Sequence, residues 1–317
     1  LIDPRLAAIG WHSDDQDAWA EGSRGGQIPA RVVGLHRNHI VDLLTAEGDL
    51  AGRPAGRMLQ DRSQATAMPA VGDWVAALPD GTIQEILPRR SALARRSAAD
   101  RDRIQILATN VDKAIVISSL NREHDPVRLE RMVRLAESSG AQPVIGLSKA
   151  DLTEEARELK DRVCETFPDT PVFVFSTRTG DGVDAVREFL EPGETVVMLG
   201  RSGVGKSTLA NTLLGWERQK TAEIRDTDDR GRHATTSREL FALPGGALLI
   251  DTPGLRAPGS IETDDLIPGL SNSELSDERA REIERLAAYC RFRDCAHETE
   301  PDCAVNAAIE AGELPAR

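Results

Sequence analysis

The segment Gly200-Arg201-Ser202-Gly203-Val204-Gly205-Lys206-Ser207 constrains this chain more than any other. It follows the apolar run Thr195–Leu199 and opens a helical period that ends near Leu214. A strand, a glycine-rich turn and a helix in that order form a cradle for phosphate. The glycines let successive main-chain N–H groups turn inward, and the helix N-terminus adds the positive end of its dipole. Lys206 is placed to reach the outer phosphates, Ser207 to ligate Mg²⁺, and Thr208 to bind phosphate from the first helical turn.

The rhythm around this loop is that of a mostly parallel sheet covered by helices. Expected strands are Ala114–Ser119, Val144–Ser148, Val172–Ser176, Thr195–Leu199, Arg238–Leu243 and Ala247–Ile250. Expected helices are Val127–Ser138, Glu154–Thr166, Val183–Leu190 and Lys206–Leu214. Pro244-Gly245-Gly246 joins the last two strands as an antiparallel hairpin. Asp251-Thr252-Pro253-Gly254 follows that hairpin: Asp251 would hold Mg²⁺ through water, and the Gly254 N–H would meet the γ-phosphate.

Ser148-Lys149-Ala150-Asp151 matches a guanine-reading motif, although alone it is equally a polar strand end. Its carboxylate accepts from guanine N1 and N2, a donor pair that adenine lacks. The Lys149 stem would lie along the base, and Ser148 stands where asparagine is usual. Ser176-Thr177 fits the loop whose N–H meets guanine O6. In the common order the phosphate loop comes first and the guanine motifs last. Here the guanine motifs come first, so the cyclic order is kept and the chain break has moved. That is a circular permutation, tolerable where termini lie close in space.

Residues 215–237 are polar and suit a switch segment. Thr235 is the first candidate and Thr236 the second for the switch ligand of Mg²⁺. Leu255 stands where a water-orienting glutamine is usual. His233 is the nearest replacement, with an exposed loop histidine of no chemical role as the equal alternative.

The flanks differ in character. We expect a loosely ordered arm at 1–27, with Trp11 and Trp19 partly buried, and an all-β barrel at 28–97. The barrel strands are Ala30–Leu35, His39–Leu44, Asp73–Leu78 and Thr82–Leu87, and either an OB-fold or an SH3-like barrel fits them. The permuted nucleotide domain follows at 98–262 and a helical metal-binding segment at 263–317, with a helix expected from Ser276. There, Cys290, Cys295, His297 and Cys303 supply three sulfurs and an imidazole, a set suited to a closed tetrahedral Zn²⁺ site of structural kind.

A net charge of −13 argues against a general nucleic-acid binder. Arg89, Arg90, Arg95, Arg96, Arg101 and Arg103 nevertheless make a basic stripe after the barrel, suited either to a phosphate backbone or to a solvated linker. No apolar run approaches the roughly 20 residues of a membrane span, and the N-terminal residues show no secretory leader.

The permuted order, the switch Gly231-Arg232-His233-Ala234-Thr235-Thr236, the barrel segments Val71-Gly72-Asp73-Trp74-Val75 and Pro88-Arg89-Arg90-Ser91, and the Cys/Cys/His/Cys knuckle together resemble the ribosome small-subunit-dependent GTPase A family. The resemblance runs from about residue 28 to near the end. It implies a multidomain α/β protein: an OB-like barrel, a circularly permuted GTPase domain and a helical zinc-binding domain. It further implies a cytoplasmic, monomeric late assembly factor of the bacterial 30S subunit that binds 16S rRNA and GTP or GDP. Hydrolysis would be slow alone and stimulated by the subunit. His233 would be the catalytic histidine, and Cys290, Cys295, His297 and Cys303 the zinc ligands. Ser148 and Ala234 depart from the family pattern. Three readings compete: a GTP-gated RNA-binding checkpoint without a catalytic role, an ATP-using phosphate-loop protein, and a DNA-binding zinc module. The last is disfavoured by ligand spacing.

Overall fold

The computed structural model describes residues 2–22, 24–60, 68–96, 104–121, 125–215, 239–251, 289–290 and 303–310. Residues Leu1–Gly269 form one compact unit and Leu270–Arg317 a second. The first begins with helices α1 (Pro4–Ala7) and α2 (Ser13–Glu21). Next come β1 (Ile28–Leu35), β2 (Val41–Thr45), β3 (Gly48–Pro54), α3 (Gly56–Gln60), β4 (Trp74–Ala77) and β5 (Thr82–Ile86).

These strands close into a barrel in the ring order β1-β2-β3-β5-β4-β1. Only the β3–β5 contact is parallel. Alternation explains its inside: Ala30, Val32, Leu43, Val75, Ala77 and Ile83 point inward and pack together. The strand β3 escapes a reading by residue preference, because two glycines and a proline depress its strand character. It forms on the ladder offered by β2, from Val41↔Gly52 to Thr45↔Gly48.

The N-terminal arm is not loose, contrary to the sequence expectation. Trp74 and Ala76 face out of the barrel, and Leu6 and Trp11 cover them. Trp11 meets Trp74 edge-on at 4.6 Å between centroids and Trp19 at 6.2 Å. Edge-on aromatic pairs contribute about 0.5–1.5 kcal/mol each beyond the area they bury, enough to order a short amphipathic arm. Its polar residues hid this, because the apolar partner lies some sixty positions downstream.

A hairpin of β6 (Ala92–Arg96) and β7 (Ile104–Thr109) follows the barrel. Then come β8 (Lys113–Ser119), α4 (Pro126–Ser138), β9 (Gln142–Ser148), α5 (Ala156–Thr166), β10 (Val172–Val174), α6 (Val183–Phe189), β11 (Thr195–Leu199), α7 (Lys206–Leu214), β12 (Glu239–Ala242) and β13 (Leu248–Asp251). The strands lie in the order β10-β9-β8-β11-β13-β12, parallel except for β12, which forms the expected hairpin with β13. Alternate residues sort the core into two layers. Val116, Leu147 and Val197 meet Leu129, Met132 and Val133 of α4. Ile115, Ile117, Val196 and Met198 meet Val186 of α6 and Leu209 of α7. A sheet buried on both faces explains why β8 and β11 read as nearly continuous apolar runs.

Barrel and nucleotide sheet are not separate bodies joined by a linker. The strand β1 also pairs with β12 at Gly34↔Glu239. A boundary at 97 would cut the β6–β7 hairpin. At the foot of β11, the fully buried Arg31 donates to Thr195 Oγ1 at 2.6 Å and to the Ile9 carbonyl at 2.5 Å. Burial lowers its pKa to about 10. Asp112 accepts from Thr195 N at 2.7 Å and from Arg90 Nη1 at 2.7 Å.

The basic stripe is therefore corrected in part. Arg89 is 4% exposed and forks onto Asp73, Nε to Oδ1 at 2.7 Å and Nη2 to Oδ2 at 2.6 Å. Arg90 is spent on Asp112, with Asp15 3.7 Å away. Neither is a surface cation, because the fold supplies carboxylates that are remote in the chain. Arg95 donates to Gln105 at 3.0 Å. Arg101, Arg103 and the side chain of Arg96 lie outside the described residues.

Burial pushes the Asp112 carboxyl up, but His12, Arg90 and Thr195 N outweigh it and hold it down at about 2. A depressed carboxylate stabilises the fold above its unfolded pKa, and that contribution is lost as pH falls through the folded value. We expect about 2 kcal/mol from this group to vanish between pH 4 and pH 2. Denaturant unfolding followed by tryptophan emission checks this: Asp112→Asn should be less stable at pH 6 and lose less on acidification than the wild type.

In the second unit, Cys303 is buried and precedes α8 (Ala304–Glu310). The helix expected from Ser276 lies outside the described residues. Among the described residues, no helix is long and apolar enough to cross a membrane.

Candidate nucleotide-binding site

The parallel strands all end at one edge of the sheet, and the site is built from the turns that follow them. This is where α/β sheets bind ligands. At the centre, β11 passes through residues 200–205 into α7. Gly200 has φ +149, and a Cβ there would lie 2.6 Å from the Ile117 carbonyl of the neighbouring strand, so only glycine fits. Gly205 caps α7 in the left-handed region, φ 104. Arg201, Ser202, Gly203, Ser207 and Thr208 are exposed along this turn, whereas Val204 is buried.

The Lys206 side chain folds back over the loop. Its Nζ donates to the carbonyls of Gly200 at 2.5 Å and Arg201 at 2.6 Å. It is buried, and that burial lowers its pKa to about 8. The ammonium is thus already held at the mouth of the turn. A cavity of about 20 Å³ beside the loop, between Val204 and Met132, has room for one water and not for a nucleotide.

The guanine motif ends β9, two strands away from β11. Ser148 is 2% exposed, and its hydroxyl donates to the Val204 carbonyl at 2.6 Å, bridging 56 positions. Asparagine's usual place is thus taken by a hydroxyl that ties the end of β9 to the phosphate loop. Lys149 adopts φ 60, a left-handed turn that swings the chain into Asp151. The Asp151 carboxylate accepts from Ser176 Oγ at 2.5 Å on Oδ1 and from Arg178 Nε at 2.7 Å on Oδ2. Ser176 first, and Arg178 after it, hold this carboxyl below its usual pKa. Ser176 in turn accepts from the N–H groups of Arg178 at 3.2 Å and Thr179 at 3.3 Å, which fixes the loop that carries Thr177.

Asp251 ends β13, one residue past Ile250, which is in register with Val197 of β11. Its backbone therefore shares the edge from which the phosphate loop departs. Its side chain lies outside the described residues, as do His233, Thr235, Thr236 and Gly254 of the switch segments. Two features escaped the sequence reading. Arg178 carries no motif signal beyond its place two residues after Ser176. The Val204 carbonyl is invisible to side-chain motifs.

Residues 86–261 match the model of the RsgA GTPase family. The chain belongs to the RsgA GTPase family. The matched span starts before the β6–β7 hairpin, which agrees with that hairpin being continuous with the nucleotide sheet. A small ribosomal subunit biogenesis GTPase RsgA from Opitutus terrae is 42% identical over 98% of this chain and 85% of its own length. Among solved structures, YjeQ from Thermotoga maritima has a TM-score of 0.54 at 25% identity, covering 91% of this chain and 93% of that one. YloQ, described as a circularly permuted GTPase, has a TM-score of 0.52 at 22% identity, covering 93% and 92%, and likewise shares the fold. The chain thus has the circularly permuted GTPase fold, and it is a GTPase.

Proposed function

We infer that this RsgA-family chain hydrolyses GTP as an assembly factor of the small ribosomal subunit, docking on 16S rRNA. The Ser148–Val204 bond carries the nucleotide part of the reading, because it joins the guanine motif directly to the phosphate loop. The relative's name supports the ribosomal part. GTP turnover measured with and without purified 30S subunits tests it. We expect at least tenfold stimulation; an unchanged rate would oppose it.

The residues divide the work as follows. Main-chain amides of Gly200 to Gly205, with Lys206, Thr208 and Gly254, hold the phosphates. Ser207, Asp251 and Thr235 or Thr236 hold the Mg²⁺ that accompanies GTP in such enzymes. Ser148, Lys149, Asp151, Ser176 and Thr177 read guanine. His233 orients the attacking water, so His233→Ala should cut turnover by about 10²- to 10⁴-fold while GTP affinity stays within a factor of two or so. The barrel's ring order, with parallel β3–β5, supports an OB-like RNA-binding module. Of the basic stripe, Arg95 and Arg96 remain the candidates for RNA contact.

A structural Zn²⁺ in the second unit belongs to the same reading. Cys290 and Cys303 bring their sulfurs to 3.9 Å. Two thiolates at about 2.3 Å from a tetrahedral Zn²⁺ stand about 3.8 Å apart, so the pair fits two corners of such a site. Cys295 and His297, the other two, lie outside the described residues. Metal analysis should find one zinc per chain, and Cys290→Ser with Cys303→Ser should abolish it and unfold the segment; full zinc content in that variant would refute the assignment. A cytoplasmic monomer is consistent with this role.

A further inference from the structure

We propose that Arg178 competes with guanine for Asp151 and so sets how readily nucleotide enters. The proposal rests on Asp151 being the base-reading carboxylate. Ser176 holds Oδ1 at 2.5 Å, and the hydroxyl's own acceptor positions are used by two loop N–H groups. That bond fixes the orientation of the carboxylate and leaves Oδ1 one acceptor position. Arg178 Nε bonds the other oxygen, Oδ2, at 2.7 Å, on the edge that guanine would need.

The competition is chemical as well as spatial. The N1–C2–N2 edge of guanine is itself a guanidine: a planar, conjugated group with adjacent N–H donors. The arginine side chain presents the same donor edge with a full positive charge, and carboxylates favour it for that geometry. Asp151 is 10% exposed and Arg178 is 71% exposed, so the guanidinium sits on the rim and can swing away without disturbing the pocket. The loop beneath is held independently: Ser176 N donates to the Asp181 carbonyl and Gly180 N to the Ser176 carbonyl, each at 2.9 Å. Arg178 is therefore a movable side chain on a fixed frame.

Binding that must first open a closed contact is weakened by the fraction of sites that are open. An exposed ion pair of ordinary strength closes the site often enough to reduce apparent affinity about two- to sixfold. Stopped-flow binding of a fluorescent GDP analogue to the full chain, in wild type, Arg178→Ala and Arg178→Lys, reads this directly. Arg178→Ala should bind faster and tighter by that factor with dissociation unchanged, and Arg178→Lys should fall between. The ratio of variant to wild type should shrink toward one in about 1 M salt, where an exposed pair is screened. Weaker or unchanged binding by Arg178→Ala at low salt overturns the proposal. Failure of the wild type itself to bind the GDP analogue would overturn the base-site assignment instead.

Discussion

Asp151→Asn should turn this GTPase from guanosine toward xanthosine nucleotides, lowering GTP affinity by roughly 10²- to 10³-fold. The direction follows from the hydrogen bonds around the carboxylate. Ser176 can only donate to Oδ1, because its acceptor positions are taken by the Arg178 and Thr179 amides. An asparagine must therefore keep its oxygen toward Ser176 and present its NH₂ where Oδ2 stood. That NH₂ opposes the N2 amino group of guanine, donor against donor. Xanthine carries an oxygen at that position and restores a bond. The variant also dismisses Arg178, which has no carboxylate left to pair with. Displacement of a fluorescent GDP analogue by GTP and by XTP measures the switch. A variant that still preferred GTP would remove Asp151 from the base site.

The second large effect concerns the barrel. Asp73→Ala should lower stability by about 3–5 kcal/mol, since it removes the carboxylate onto which the buried Arg89 guanidinium forks. Asp73 is fully buried and Arg89 is 4% exposed. The same carboxylate also accepts from Ala70 N at 2.7 Å, so a turn amide is orphaned as well. The melting temperature should fall by roughly 10 °C for a unit of this size. Tryptophan emission is the apt probe, because Trp11, Trp19 and Trp74 cluster on the outside of the same barrel. Pairing Asp73→Ala with Arg89→Met should recover much of the loss, as removal of both charges leaves nothing stranded. If Arg89→Ala left the melting point unchanged and weakened RNA binding alone, the buried pair would be unimportant and the surface reading of Arg89 would return.

These two sites differ in how far they could be read from the chain. The strand Thr195–Leu199 and the helix Lys206–Leu214 were expected with the bounds that the structure has, because strand, turn and helix are consecutive and each residue's task is local. The guanine motif was legible as a short string, yet its link to Val204 was not, since that acceptor is a backbone carbonyl 56 residues away. Arg89 and Arg90 looked like surface cations because their near neighbours in sequence leave them unpaired. Asp73 reaches Arg89 across the β4–β5 hairpin, and Asp112 reaches Arg90 past the β6–β7 hairpin, so both partners appear only in the folded chain.

Residue type and order set the chemistry and its cyclic sequence: a phosphate-cradling turn, a carboxylate suited to guanine, and three cysteines with a histidine in one short stretch. Those depend on residue type and on spacing along a few turns of chain, which local geometry preserves. Folding settled which charges face solvent, whether the arm is ordered, and which arginine pairs with Asp151. A buried charge or an outward-facing tryptophan takes whatever partner the folded chain brings within a few ångströms, and distance in space is not written in distance along the chain.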